Sequence, residues 1–261
     1  MPEPVLIARD ARGIATVTLN RPERGNAYDA GLLAALIGGL TTLAADASLR
    51  AVVLRGAGRH FAAGADIGWL AEVATYPPDA AFAASLATTR AMQLLNEFPR
   101  PTLAVIQGAC FGGGAGLACC VDVALATPAA EFGITEVRVG VAPTPISTQL
   151  VQAIGLRQAR RYALTGERFT AAQAAALGLV HEVVPADAIE ARLEAVLAAI
   201  LLSAPGAQAV TKASLLGANG FTLDERQLAM LAHEGWTQRA TAEAREGIAA
   251  FQEKRRPSWA G

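Results

Sequence analysis

Hydrophobic and polar positions alternate along Ile14-Ala-Thr-Val-Thr-Leu19, the period of a half-buried β-strand, and Val5 to Arg9 reads as its partner across the turn Asp10–Gly13. Leu32, Leu33, Leu36, Leu40 and Leu43 then recur at helical spacing behind Asp29, which predicts a capped helix over roughly 30–45. Ala51 to Arg55 reads as a third strand, followed by a Gly- and Ala-rich loop to Ile67. A helix over about 79–96 ends before Pro99 and Pro101. Thr102 to Gln107 is a buried strand. A glycine cluster, a short apolar helix and the strand Val123–Ala126 come after it. Beyond Pro145 the pattern is mostly helical. Thr170-Ala-Ala-Gln173 predicts a capping box for a helix closed by Gly178, ahead of a strand over Val180–Val184. A helix from Asp187 to about Ser203 is broken by Pro205, and two or three helices fill the remainder. Strand, small-residue loop and helix in repetition predict an α/β layered core over 1–200 with a helical region over 201–261.

Composition narrows the class. Of 261 residues, 52% are hydrophobic and 17% charged, enough for a large core without disulfides or metals. The 22 Lys and Arg nearly balance the 23 Asp and Glu, so no basic field exists to gather nucleic acid or anionic lipid. The apolar run Gly108–Val121 is too short to span ~30 Å of hydrocarbon, and Val5–Ala8 is too short for a signal sequence. A cytoplasmic protein with neither nucleic acid nor membrane as partner is expected. Cys110, Cys119 and Cys120 form no Cys-x-x-Cys and fit reduced, buried thiols.

The glycine cluster fails the tests for phosphate loops. A P-loop counted from Gly108 places Gly114 where Lys is needed, and a dinucleotide fingerprint from Gly112 or Gly114 meets Leu117 or Cys119 in place of its last glycine. His60, His181 and His233 show no metal-ligand spacing, so no metal is expected. What remain are two small-residue junctions, Phe61-Ala-Ala-Gly-Ala-Asp66 and Phe111-Gly-Gly-Gly-Ala-Gly116, each between a buried strand and a helix. Small side chains bare the backbone N–H groups, and two of these aimed at one point can hold a developing oxyanion. One such donor is commonly worth ~3 kcal/mol. Close packing of helix on sheet would use the same residues.

Phe61-Ala-Ala-Gly-Ala-Asp-Ile67, then Gly112-Gly-Gly114, then Phe132-Gly-Ile-Thr-Glu136 resemble the crotonase (enoyl-CoA hydratase/isomerase) superfamily. The likeness runs in order from Ile14–Pro22 through Ala159–Gly166 and Ala176–Val180 to Phe251–Lys254. The resemblance implies a spiral of ββα units, with a helical C-terminal region that makes homotrimers, often paired into hexamers. It implies an acyl-CoA thioester as partner, and coenzyme A as part of the substrate rather than a cofactor. Carried over by position, the N–H groups of Ala65 and Gly113 would hold the thioester oxygen. Asn26 and Ala27 would stand at the entrance, and Ala63, Ala65, Asp66 and Ile67 would border coenzyme A. Phe251 and Lys254 would approach the coenzyme A of a neighbouring subunit, both from one helix face given their spacing.

Hydratases of the superfamily use two glutamates. One corresponds to Glu136; the other belongs at Gly116, where this chain has no carboxylate. A single acid can shift a proton between carbons, or deliver one while orienting water. Phe132, Ile134 and Val137 near Glu136 suggest a raised pKa. The segments Phe111–Gly116 and Thr135–Ser147 are most similar to the branched-substrate group, 3-methylglutaconyl-CoA and isohexenylglutaconyl-CoA hydratases. Their substrates carry a second carboxylate that Arg138 could meet, although a surface role for Arg138 is the simpler reading. Enoyl-CoA hydration is therefore expected. Δ3,Δ2-enoyl-CoA isomerisation and a catalytically lapsed CoA-binding or assembly protein stand as alternatives.

Overall fold

Val5–Arg9 (β1) and Ile14–Leu19 (β2) pair antiparallel, in register from Val5↔Leu19 to Arg9↔Ala15. Asp10 fastens their turn, its Oδ1 accepting from the amides of Arg12 and Ile14 at 2.9 Å each. The computed structural model describes residues 2–220 and 222–260; Met1 and Gly261, the outer ends of the two expected regions, lie outside these. Asp29 caps helix α1 (Ala30–Ala44) by accepting from Leu32 N at 2.9 Å, and all five leucines of the expected stripe are buried. Strand β3 (Ala51–Gly56), helices α2 (Ile67–Val73) and α3 (Pro78–Asn96), and strand β4 (Thr102–Ile106) follow. Next come β5 (Ala109–Phe111), α4 (Gly113–Cys120), β6 (Val123–Ala126) and β7 (Glu131–Gly133). Helix α5 (Ser147–Thr165) bends at Gly155 and leads to β8 (Arg168–Thr170), α6 (Ala171–Leu177) and β9 (Glu182–Val183). The chain ends in α7 (Ile189–Leu201), α8 (Pro205–Ala218), α9 (Glu225–Arg239) and α10 (Ala242–Gln252).

The main sheet runs β1-β2-β3-β4-β6-β9, parallel beyond the first pair. Parallel sheets need cover on both faces. Along β3, Val52 and Leu54 face the large core containing the leucines of α1, whereas Ala51 and Val53 face Ile189, Leu193 and Leu197 of α7. The capping box at Thr170 and the Gly178 closure of α6 form as the sequence predicts.

Three differences have physical causes. The strand expected over Val180–Val184 shortens to Glu182–Val183 because β6 ends at Ala126, although His181 N and Val184 N still donate to Ala124 O and Ala126 O. Pro205 starts α8 rather than merely ending α7, since a helix's first turn needs no N–H from it. Finally, β5, β7 and β8 build a small second sheet of three-residue strands, too short to show a period.

The C-terminal helices turn back onto the core. Arg90 of α3 pairs with Glu225 of α9 at 2.7 Å, and Gln93 donates to Leu223 O at 2.6 Å. Gln238 of α9 grips the segment after Glu136 from both sides, donating to Gly140 O at 2.5 Å and accepting from Ala142 N at 2.8 Å. Helix α10 lies so close to that segment that a Cβ on Gly247 would stand 2.4 Å from the Val139 carbonyl carbon.

Candidate active site

The two small-residue junctions meet because backbone bonds sew them together. Phe61 N donates to Gln107 O at 2.8 Å, Ala62 N to Ala109 O at 3.1 Å, and Phe111 N to Ala62 O at 2.9 Å. Gly64 then reaches the start of α4: with φ +92°, a Cβ there would stand 2.9 Å from Phe111 O and 3.5 Å from Gly113 N. On its other side this loop pairs with Tyr28, whose N–H donates to Gly64 O and whose carbonyl accepts from Asp66 N, both at 2.8 Å. Alternation along the backbone turns the intervening Ala65 N–H the opposite way. Gly113 N heads α4, where a first-turn amide has no intrahelical acceptor. Neither amide has a partner among the described residues. Both residues line one cavity of about 1260 Å³.

Glu136 shares that cavity. It opens a 3₁₀ turn, Glu136–Val139, but its carboxylate turns inward: Oε2 is sealed from solvent with no hydrogen-bond partner among the described residues. Desolvation pushes its pKa up to about 7. The carboxylate rests on Gly112, where φ is +52° and a Cβ would lie 3.0 Å from Oε1. That glycine gives the acid its seat beside the Gly113 amide.

Of the other expected residues, Ala27, Ala63, Asp66 and Ile67 line the same cavity; Phe251 and Lys254, expected at a neighbouring subunit's coenzyme A, line it within their own chain. Asp66 caps α2 by accepting from Gly68 N at 2.9 Å and pairs with Arg21 at 3.1 Å, which holds the entrance together. Two placements need correcting. Asn26 is fully buried behind the wall, not at the entrance: its amide donates to Ala57 O and His60 O, and its oxygen accepts from Arg21 N. Lys254 does not share a helix face with Phe251. Helix α10 stops at Gln252, and Lys254 turns left-handed with φ +55°. Arg138 is exposed at the cavity rim, its side chain packed against Gly166.

Comparison with known proteins settles the class. The family model described as enoyl-CoA hydratase/isomerase matches residues 9–261. The chain belongs to this family. The 2,3-dehydroadipyl-CoA hydratase of Escherichia coli is 33% identical over 265 residues, 98% of each chain. An enoyl-CoA hydratase structure from Mycobacterium avium superposes with TM-score 0.86 at 34% identity, covering 99% of this chain and all of that one. Pseudomonas aeruginosa AtuE superposes with TM-score 0.81 at 39% identity, over 99% and 100% of the two chains. The α/β arrangement is thus the crotonase fold, and its relatives' names support an enoyl-CoA hydratase-like activity.

Against that family the position of the absent glutamate is informative. A Cβ on Gly116 would stand 2.2 Å from Ile146 Cγ2 and 3.5 Å from Met92 Cε. Ile146 fills the space, so the wall there is apolar. Gly116→Glu is therefore expected to destabilise the protein by about 1–3 kcal/mol or more, since added atoms have nowhere to go. Adding Ile146→Ala should recover much of that loss in urea unfolding. A Gly116→Glu single variant of unchanged stability would contradict this packing.

Two cavity residues escape motif reading. Tyr28 lies over Gly113, where a Cβ would meet its hydroxyl at 2.3 Å, and its ring packs edge-on to Trp69 with centroids 6.1 Å apart. Arg239 is 95% buried, and desolvation lowers its proton affinity. A signal for it existed. Leu228, Leu231, Ala232, Gly235 and Arg239 form the buried stripe of α9, so an arginine stands at a core-facing helical position.

Proposed function

We propose that this chain hydrates an enoyl-CoA thioester, or dehydrates the 3-hydroxy product in reverse, using Glu136 as its acid and base. One observation carries the reading: a desolvated carboxylate and two unpartnered amides, Ala65 and Gly113, face one cavity. Both N–H groups donate to the thioester oxygen and stabilise the enolate charge that collects there, leaving Cβ electrophilic. Protonated Glu136 gives its proton to Cα. Water bonds to Cβ and releases one proton to the same carboxylate, so H and OH are added and the acid is restored.

In this reading Ala27, Ala63, Asp66, Ile67, Phe251 and Lys254 border coenzyme A. Arg24, Arg138 and Arg168 at the same cavity suit its phosphates. A branched acyl group is supported by the likeness of Phe111–Gly116 and Thr135–Ser147 to the branched-substrate hydratases, because both segments contribute to the cavity. A cytoplasmic homotrimer or hexamer completes the proposal. The assembly into an oligomer is supported by α8, which buries none of its residues and exposes Val210 and Leu215.

The apolar Ile146 wall favours a second reading, Δ3,Δ2-enoyl-CoA isomerisation, in which one carboxylate removes a proton and no second group activates water. The pH profile separates them. For hydration the protonated acid is the working form, so kcat/KM on crotonyl-CoA or 3-methylglutaconyl-CoA should fall about tenfold per pH unit above about 7. An isomerase needs the ionised form, and its rate on a 3-enoyl-CoA should rise through the same pH and level off. Loss of conjugated absorbance reports the first reaction and its gain the second. Coenzyme A binding with no turnover on either substrate type would support the lapsed protein instead.

A further inference from the structure

Buried guanidinium groups are ordinarily paired, because an unpaired charge out of water is costly. Arg239 breaks this rule. Its only described hydrogen bond runs from Nε to Gly235 O on its own helix at 3.0 Å, and Nη2 is sealed without a partner. Among the described residues it joins no ion pair. Its neighbours across Gly235 are hydroxyls, not carboxylates: a Cβ there would stand 2.7 Å from Ser85 Oγ, 2.8 Å from Thr144 Oγ1 and 3.5 Å from Nη2. Ser85 Oγ is itself buried and has no partner among the described residues.

Arg239 lines the same cavity as Glu136, together with the buried Tyr28, Trp69, Thr88 and Ile146. One cavity thus joins the two amides, apolar walls and a buried cation that no described carboxylate compensates.

We infer that Arg239 binds a carboxylate at the far end of the acyl chain, making this a site for enoyl-CoA thioesters of dicarboxylic acids. The inference rests on the acyl-CoA reading of the cavity and adds the chemistry of the distal group. Arginine suits it, since its planar fork meets a carboxylate with two parallel hydrogen bonds. A carboxylate brought in by the substrate replaces the missing counter-ion, whereas a methyl terminus leaves the charge unpaired.

The test compares ligands matched in length. Binding of adipyl-CoA and hexanoyl-CoA, measured by calorimetry, needs no turnover and so stands apart from the proposed reaction. The native protein should favour adipyl-CoA by about 100-fold or more. Arg239→Met should erase that preference while leaving hexanoyl-CoA binding equal or tighter, and Arg239→Lys should keep part of it. Fold is checked by melting temperature, which the methionine variant should maintain because it removes an unpaired buried charge.

Equal binding of both ligands to the native protein, or an equal loss of both in Arg239→Met, would overturn the assignment. So would stabilisation of the native protein, and not of Arg239→Met, by acetate or chloride with no preference between the acyl-CoAs. That result would mark a site for free anions. If adipyl-CoA is preferred and no enoyl-CoA is hydrated, the distal site stands and the reaction proposed above falls.

Discussion

Glu136→Gln is expected to lower kcat on the best enoyl-CoA substrate by about a hundred- to ten-thousand-fold, with KM changed little. The amide keeps the shape and the seat on Gly112 but can neither release a proton to Cα nor take one from water. Melting temperatures tell this loss from damage to the fold. Because burial raises the folded-state pKa from 4.5 to about 7, the folded protein retains a proton that the unfolded chain has released across that interval. Stability contributed by the neutral acid is present at pH 4 and lost as pH rises through about 7. The glutamine variant, neutral throughout, should match the native protein near pH 4 and exceed it at pH 8, by up to about 3 kcal/mol. Near-normal turnover on every substrate tested would remove the single-acid mechanism.

Ala65→Pro should cost about a hundred- to thousand-fold in kcat, the usual effect of deleting one oxyanion donor. Proline removes the N–H that faces the cavity. It leaves intact the two bonds that pair the loop with Tyr28, which belong to Gly64 O and Asp66 N. With no Cβ, the preceding Gly64 opposes the added ring less than any other residue type would. Ala65→Gly keeps the donor and should stay within a few-fold of the native rate, so the pair isolates the amide from the side chain. If both variants retain activity, the thioester oxygen is held elsewhere.

How far the sequence alone reached depended on the length over which a physical signal repeats. The alternation in β2, the leucine stripe of α1, the Asp29 cap and the Thr170–Gln173 box are local, and all form as read. The strands β5, β7 and β8 gave no signal, because three residues hold less than two periods of alternation. Long-range geometry was legible only through resemblance. Nothing in the spacing of Phe61–Asp66 and Phe111–Gly116 says that they are stitched together, and nothing near Gly116 says that Ile146 fills its missing side chain. Asn26 was misplaced for a related reason. Adjacent positions in a loop can face opposite ways, and here Asn26 turns inward while Ala27 turns to the cavity. Arg239 needed the helical phase of α9 to be combined with the cavity's walls.

The hold of Gln238 on Gly140 and Ala142 has a consequence for how such an enzyme changes its diet. That glutamine immediately precedes Arg239 and steadies the stretch leading out of Glu136. Recutting α9 to suit a new acyl tail therefore tugs on the proton carrier as well, and the two traits are inherited as one. Trp69 of α2 and Thr88 of α3 line the same cavity, and among the described residues neither side chain bonds to the segment leading out of Glu136. Descendants with altered appetites should accumulate their changes there first.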